Sequence, residues 1–100
     1  MLHLLFLTYT AAEEDAEPFV RDHVAFLEEH HGDGIFLVSG QTAPTTIGGA
    51  IIAQGVDRAG VEQIVRQDPF VTHGVAEYTI TTIVPGRVHP ALSALLAQSS

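Results

Sequence analysis

The chain has 100 residues, 46% of them hydrophobic, enough for one domain with a buried core and too few for two. Twelve acidic residues against four arginines and no lysine give a net charge of −8, which repels phosphate backbones and anionic lipid, so neither nucleic acid nor a membrane is an expected partner. Cysteine is absent, which excludes disulfides and thiolate nucleophiles, leaves only His, Asp or Glu as metal ligands, and suits a cytoplasmic location.

The opening "MLHLLFLTYTAAEED" has the outline of a secretory signal, an apolar run followed by two alanines. It lacks a basic leading segment and its apolar core is short, so residues 2 to 10 read as a buried strand. That strand is apolar at odd and even positions alike, the pattern of a strand covered on both faces. No run approaches the roughly 20 apolar residues of a membrane span.

A helix follows, over about residues 18 to 31, with acidic residues near its start and Gly32 and Gly34 at its end. At about 100° per residue, Phe19, Val20, Val24, Phe26 and Leu27 form an apolar arc opposite Arg21, Asp22, Glu28 and Glu29. His23 falls inside that arc, four residues from both Phe19 and Leu27, so its ring points at the sheet. "IFLVSG" (35 to 40) and "GAIIAQG" (49 to 55) read as strands joined by the Thr, Pro and Gly content of "QTAPTTIGG".

Asp57 caps a second helix, "RAGVEQIVRQD", which Pro69 ends. Val61, Ile64 and Val65 make its buried stripe, and Asp68 extends the stripe by one turn. A carboxylate at that helix end opposes the macrodipole by about 0.3–1 kcal/mol, so Asp68 needs a donor. Residues 75 to 84 form a fourth strand with Ala76, Tyr78 and Ile80 on one face. The domain is expected to span residues 1 to 88. The tail from 89 to 100 holds a short helix edged by Leu92, Leu95 and Leu96, available for contacts in an oligomer.

The order βαββαβ is the ferredoxin-like arrangement, an antiparallel sheet with both helices on one face. The other face is left open although the first strand is apolar on that side, and a second copy of the chain is the simplest cover. A homodimer with face-to-face sheets is therefore expected.

The two helices lie side by side in this fold, so His23 and Asp68 are expected to be able to meet at the edge of the core. A carboxylate on one ring nitrogen fixes the imidazole tautomer and leaves the other nitrogen to move a proton on a substrate. Two readings stay open: a catalytic pair, or a core histidine satisfied by an aspartate that also bonds the backbone around Pro69 and Phe70. Ser39, where the second strand ends, is either a substrate contact or a turn serine. Tyr78 reads as a core aromatic with a satisfied hydroxyl. The six histidines lack the i, i+4 spacing of a helical metal site, so no metal is expected. The glycines at 48 and 49 match no phosphate-binding fingerprint. Ser39, His23 and Asp68 can be written as a triad, but no nucleophile elbow carries the serine.

"HVAFLEE", "GIFLVSG", "GGAIIA", "QDPFVTHGVAEYTI" and "HPAL" together resemble the YciI-like family (YCII-related domain) over about residues 2 to 92. The resemblance implies a ferredoxin-like fold assembled as a dimeric α+β barrel, shared with muconolactone isomerase-like enzymes and small monooxygenases, with a His/Asp-centred site. Carried over by motif, the histidine is His23, the aspartate Asp68 and the serine Ser39. Gln41 replaces the proline of the serine segment, and Arg21 matches only approximately an arginine before the histidine.

The expected function is a cofactor-independent enzyme of lyase or isomerase type acting on a small cyclic or aromatic molecule. His23 is then the general acid or base, Asp68 its orienter and Ser39 the contact to a substrate oxygen. The alternative is a non-catalytic small-molecule-binding or regulatory dimer with a structural pair, told apart by whether the two side chains meet beside a cavity. Cofactor-free oxygenation follows only from the shared barrel type.

Overall fold

The computed structural model describes residues 1–97. The elements are β1 (Leu2–Tyr9), α1 (Glu13–Ala16), a 3-10 turn (Glu17–Phe19), α2 (Val20–Gly32), β2 (Phe36–Gln41), β3 (Gly48–Gln54), α3 (Arg58–Val65), α4 (Pro69–Thr72), β4 (Ala76–Ile83) and α5 (Pro90–Ala97). The sheet has the order β2-β3-β1-β4 with every pair antiparallel, the ferredoxin-like topology expected from the pattern. The short tail helix is present as α5, and residues 98 to 100 of the expected tail lie outside the described residues.

β1 is central, and its side chains alternate between two unlike faces. His3, Leu5 and Leu7 point to the helix side and are buried; Leu5 stands opposite Ile51 and Ile80, and Leu7 opposite Gly49 and Tyr78. Phe26 of α2 and Val61 and Val65 of α3 pack with Leu5, Phe36, Ile51 and Ala53 into one cluster, so both helices cover this face. A second cluster of Leu7, Ala16, Phe70, Val75 and Ala76 lies beside it, with Tyr78 packed against both. The opposite face is open in a single chain: Phe6 is 43%, Val38 57% and Ile83 39% exposed. β1 is thus apolar on both sides but covered on one.

Three local expectations are corrected. The first helix does not begin at Pro18. The acidic residues form α1, and Pro18, which has no N–H to give, sits in the 3-10 turn before α2 starts at Val20. Val20 and Val24, placed in the buried arc by the wheel, are 44% and 41% exposed, because the sheet lies under the His23, Phe26, Leu27 and His30 side of α2.

The third correction concerns Asp68. The second helix stops at Val65, after which Gln67 and Asp68 donate to the carbonyls three residues back, tightening the chain before Pro69. The residue before a proline avoids the helical region, and Asp68 is extended at φ −61°, ψ 125°. It is the N-cap of a new short helix with Pro69 in the first turn, where negative charge is favourable, and does not sit at a helix C-terminus.

One glycine is required by the sheet. Gly48 opens β3 at φ +150°, and a Cβ there would run into the Leu7 backbone carbonyl. Gly48→Ala is expected to lose more than about 2 kcal/mol of stability. Gly40→Ala, where a Cβ meets nothing within 4 Å, is expected to unfold within about 0.5 kcal/mol of the parent in the same urea titration.

Candidate active site

The site is built around the Asp68 carboxylate, which has no exposed surface. Oδ1 accepts the Phe70 backbone N–H at 2.9 Å and is bonded by His23 Nδ1 at 2.8 Å, while Oδ2 accepts the Tyr78 hydroxyl at 2.6 Å. A buried carboxylate without such donors would cost several kcal/mol, and here both oxygens are engaged. Because Phe70 N–H and Tyr78 O–H are donors, the carboxylate is an acceptor throughout. His23 must therefore carry its proton on Nδ1, leaving the Nε2 lone pair free in the neutral ring.

Each partner arrives by a local rule. Asp68-Pro69-Phe70 is a cap, a first-turn proline and an aromatic, and the Phe70 ring stacks flat on the His23 imidazole at 4.0 Å and 5°. His23 comes from α2, four residues before Leu27, with its side chain 13% exposed. Tyr78 comes from the helix-facing side of β4. Burial raises the Tyr78 phenol far above its ordinary value, and the adjacent Asp68 charge and their hydrogen bond push it the same way. The hydroxyl is a fixed donor and not an acid.

His23 borders a cavity of about 250 Å³ between α2 and the sheet. Val20, Val24 and Leu27 form the helix wall, Phe70 one side, and Leu7, Ser39, Gln41, Gly49, Ile51 and Tyr78 the strand side. This explains the two exposed valines. They are not misplaced core residues but the rim of a cavity. Among the described residues His23 Nε2 has no hydrogen-bond partner. Ser39 lines the same cavity, and its hydroxyl is bonded to His31 Nε2 at 2.8 Å. Gln41, in place of the expected proline, also lines it, whereas Arg21 stays on the exposed side of α2.

The remaining buried histidines serve other purposes. His3 is bonded to Thr82 Oγ1 and the Val56 carbonyl, which satisfies both ring nitrogens, and His30 is bonded to Asp33. Among the described residues no group of three or more His, Cys, Asp or Glu is arranged to hold a metal ion, and no helix is long and apolar enough to cross a membrane.

His23 and Ser39, picked out from the sequence, thus line one cavity, and Asp68, fully buried, touches His23 without lining it. Sequence reasoning missed that Tyr78 completes the carboxylate's donors and that His31 holds Ser39. The signal for Tyr78 was its inward position on β4; for His31, on the exposed end of α2, there was none.

The chain matches the YCII-related domain over residues 1–84. It belongs to that family. No curated protein matches it. Among solved structures, this YCII-related chain is similar to a 5-chloro-2-hydroxyhydroquinone dehydrochlorinase from Burkholderia phenoliruptrix, determined with 2,5-dihydroxybenzoquinone. The TM-score is 0.72 at 20% identity, over 86% of this chain and 96% of that one, a likeness of fold.

Asp68→Asn leaves one of the three donors facing an amide NH2 and is expected to cost about 1–3 kcal/mol, read as a lower urea midpoint at unchanged slope. The tyrosines give a second check. An unfolded phenol loses its proton near 10.0, while folded Tyr78 keeps it far beyond that. The contribution of Tyr78 to stability is therefore complete below pH 10 and lost as pH rises further. Absorbance at 295 nm is expected to show Tyr78 ionising only together with alkaline unfolding. Tyr9, raised by burial and by Glu13, is expected to titrate above 10.0 in the folded chain.

Proposed function

We propose that the protein is a cofactor-independent enzyme of proton-transfer type, a lyase or isomerase acting on a small aromatic or cyclic molecule. The observation that carries this reading is the 2.8 Å contact between His23 Nδ1 and Asp68 Oδ1 beside a cavity, with Nε2 free of hydrogen-bond partners among the described residues. Asp68 orients the ring, Phe70 fixes its plane, and Nε2 takes a proton from a ring hydroxyl or carbon and returns it elsewhere. The electron pair released moves to a neighbouring atom in an isomerisation or expels a leaving group in an elimination. Ser39 holds a substrate oxygen on the strand side.

The cavity supports the substrate class. An engineered apolar cavity of about 150 Å³ accepts benzene, so about 250 Å³ suits a single ring with several substituents. Its largely apolar lining with few polar groups is the usual composition of a small-molecule site. The fold likeness to a dehydrochlorinase solved with a dihydroxybenzoquinone points the same way.

The open sheet face supports a homodimer. Phe6, Val38 and Ile83 are large apolar side chains on the face opposite the helices, and apposed sheets bury such a surface. Sedimentation at micromolar concentration is expected to give twice 10.7 kDa, and Val38→Glu to shift the population toward monomer. A wild-type chain that sediments as a monomer overturns the dimer.

The reaction class is tested by incubating the protein in D2O with substituted phenols, quinols and quinones, 5-chloro-2-hydroxyhydroquinone among them. Proton NMR follows deuterium entering ring positions, and chloride release follows elimination. His23→Ala is expected to lower the rate by about 10²–10⁴-fold, and Asp68→Asn to lower it through a mis-set tautomer. Full activity in both folded variants sinks the proposal. Binding of these rings without exchange or elimination would establish the alternative, a non-catalytic small-molecule-binding dimer.

A further inference from the structure

Ser39 sits on β2 opposite Ile51, on the helix-facing side of the sheet. The last turn of α2 passes over this strand, and His31 Nε2 meets Ser39 Oγ at 2.8 Å. The imidazole is steadied from below by Phe36, a core residue whose ring meets it edge-on at 6.1 Å and 83°. His31 is not among the residues lining the cavity; it stands behind the serine.

A serine hydroxyl has one hydrogen and two lone pairs on a freely turning bond. Left alone, it spends much of its time turned away from a ligand, and a ligand must pay for ordering it. With Nε2 bonded to one side of Oγ, the remaining hydrogen-bonding capacity is directed elsewhere, and the open side is the cavity. Among the polar side chains that line the cavity, Tyr9 and Gln41 included, the Tyr78 hydroxyl is spent on Asp68, while His23 stands on the helix wall and Ser39 on the strand wall.

We propose that His31 is a positioning residue which holds the Ser39 hydroxyl toward the cavity, so that the site selects single rings carrying two oxygen substituents over rings carrying one. This rests on the cavity being the substrate site proposed above. One oxygen engages His23 and the second engages Ser39. A ring with one oxygen satisfies His23 alone and gains nothing from the serine.

The test is an NMR titration of hydroquinone, under inert gas, and of phenol into the full-length protein and its variants. Ser39→Ala and His31→Ala are each expected to weaken hydroquinone binding by about three- to tenfold, the worth of one hydrogen bond. The double variant is expected to be no weaker than Ser39→Ala, and phenol affinity to stay unchanged throughout. A merely structural role for His31 would move both ligands equally, and that result overturns the proposal. So do additive losses in the double variant, or hydroquinone binding that falls on His23→Ala but not on His31→Ala; this last outcome leaves the cavity reading standing. Failure of the wild-type protein to bind either ring overturns this inference and the cavity reading together.

Discussion

A single buried carboxylate holds three parts of the molecule in register. Asp68 receives a donor from α2 through His23, one from α4 through the Phe70 backbone, and one from β4 through Tyr78. Of the elements it joins, α2 is distant in sequence while α4 and β4 follow it closely, and each donor answers the desolvation of the same charge. The site is therefore not an addition to the fold. The contacts that make a buried charge tolerable are those that aim the imidazole at the cavity.

Much of this was legible in the sequence, for identifiable reasons. The alternation of β4 and the stripe of Val61, Ile64 and Val65 set the facing of those elements, because burial on a pleated or helical surface leaves a period, while β1 showed itself as an unbroken apolar run. His23 stood out as an ionisable residue at an apolar spacing, and Asp68 as a charge on an apolar stripe. What the pattern could not carry was local chain direction. The wheel continued the helix through Asp68, whereas Pro69 resets the backbone there, so a charge that looked unfavourably placed is a cap. Val20 and Val24 were misplaced for a related reason: a hydrophobic rim and a hydrophobic core give the same periodicity. His31 was invisible because its partner lies across a turn, eight residues on, a relation set by how α2 crosses β2.

The two faces of the sheet divide the work. The helix side carries the cores, the cavity and the polar groups. The other side presents Phe6, Val38 and Ile83 to its surroundings, and none of these three lines the cavity. Association through that face would leave the cavity untouched, so assembly and ligand recognition draw on different residues.

If the proposed proton transfer holds, the double duty of Asp68 separates what keeps the chain folded from what would let it react. A lineage that lost the reaction would still be held to the aspartate, since its removal leaves Tyr78 and the first turn of α4 without their acceptor. His23 is held less firmly, as one of the three donors. An apolar ring in its place would still stack on Phe70 and would strip the Asp68 carboxylate of one donor among three. On the proposed function, a comparison of sister chains is expected to find the aspartate more widely kept than the histidine, the histidine following the chemistry.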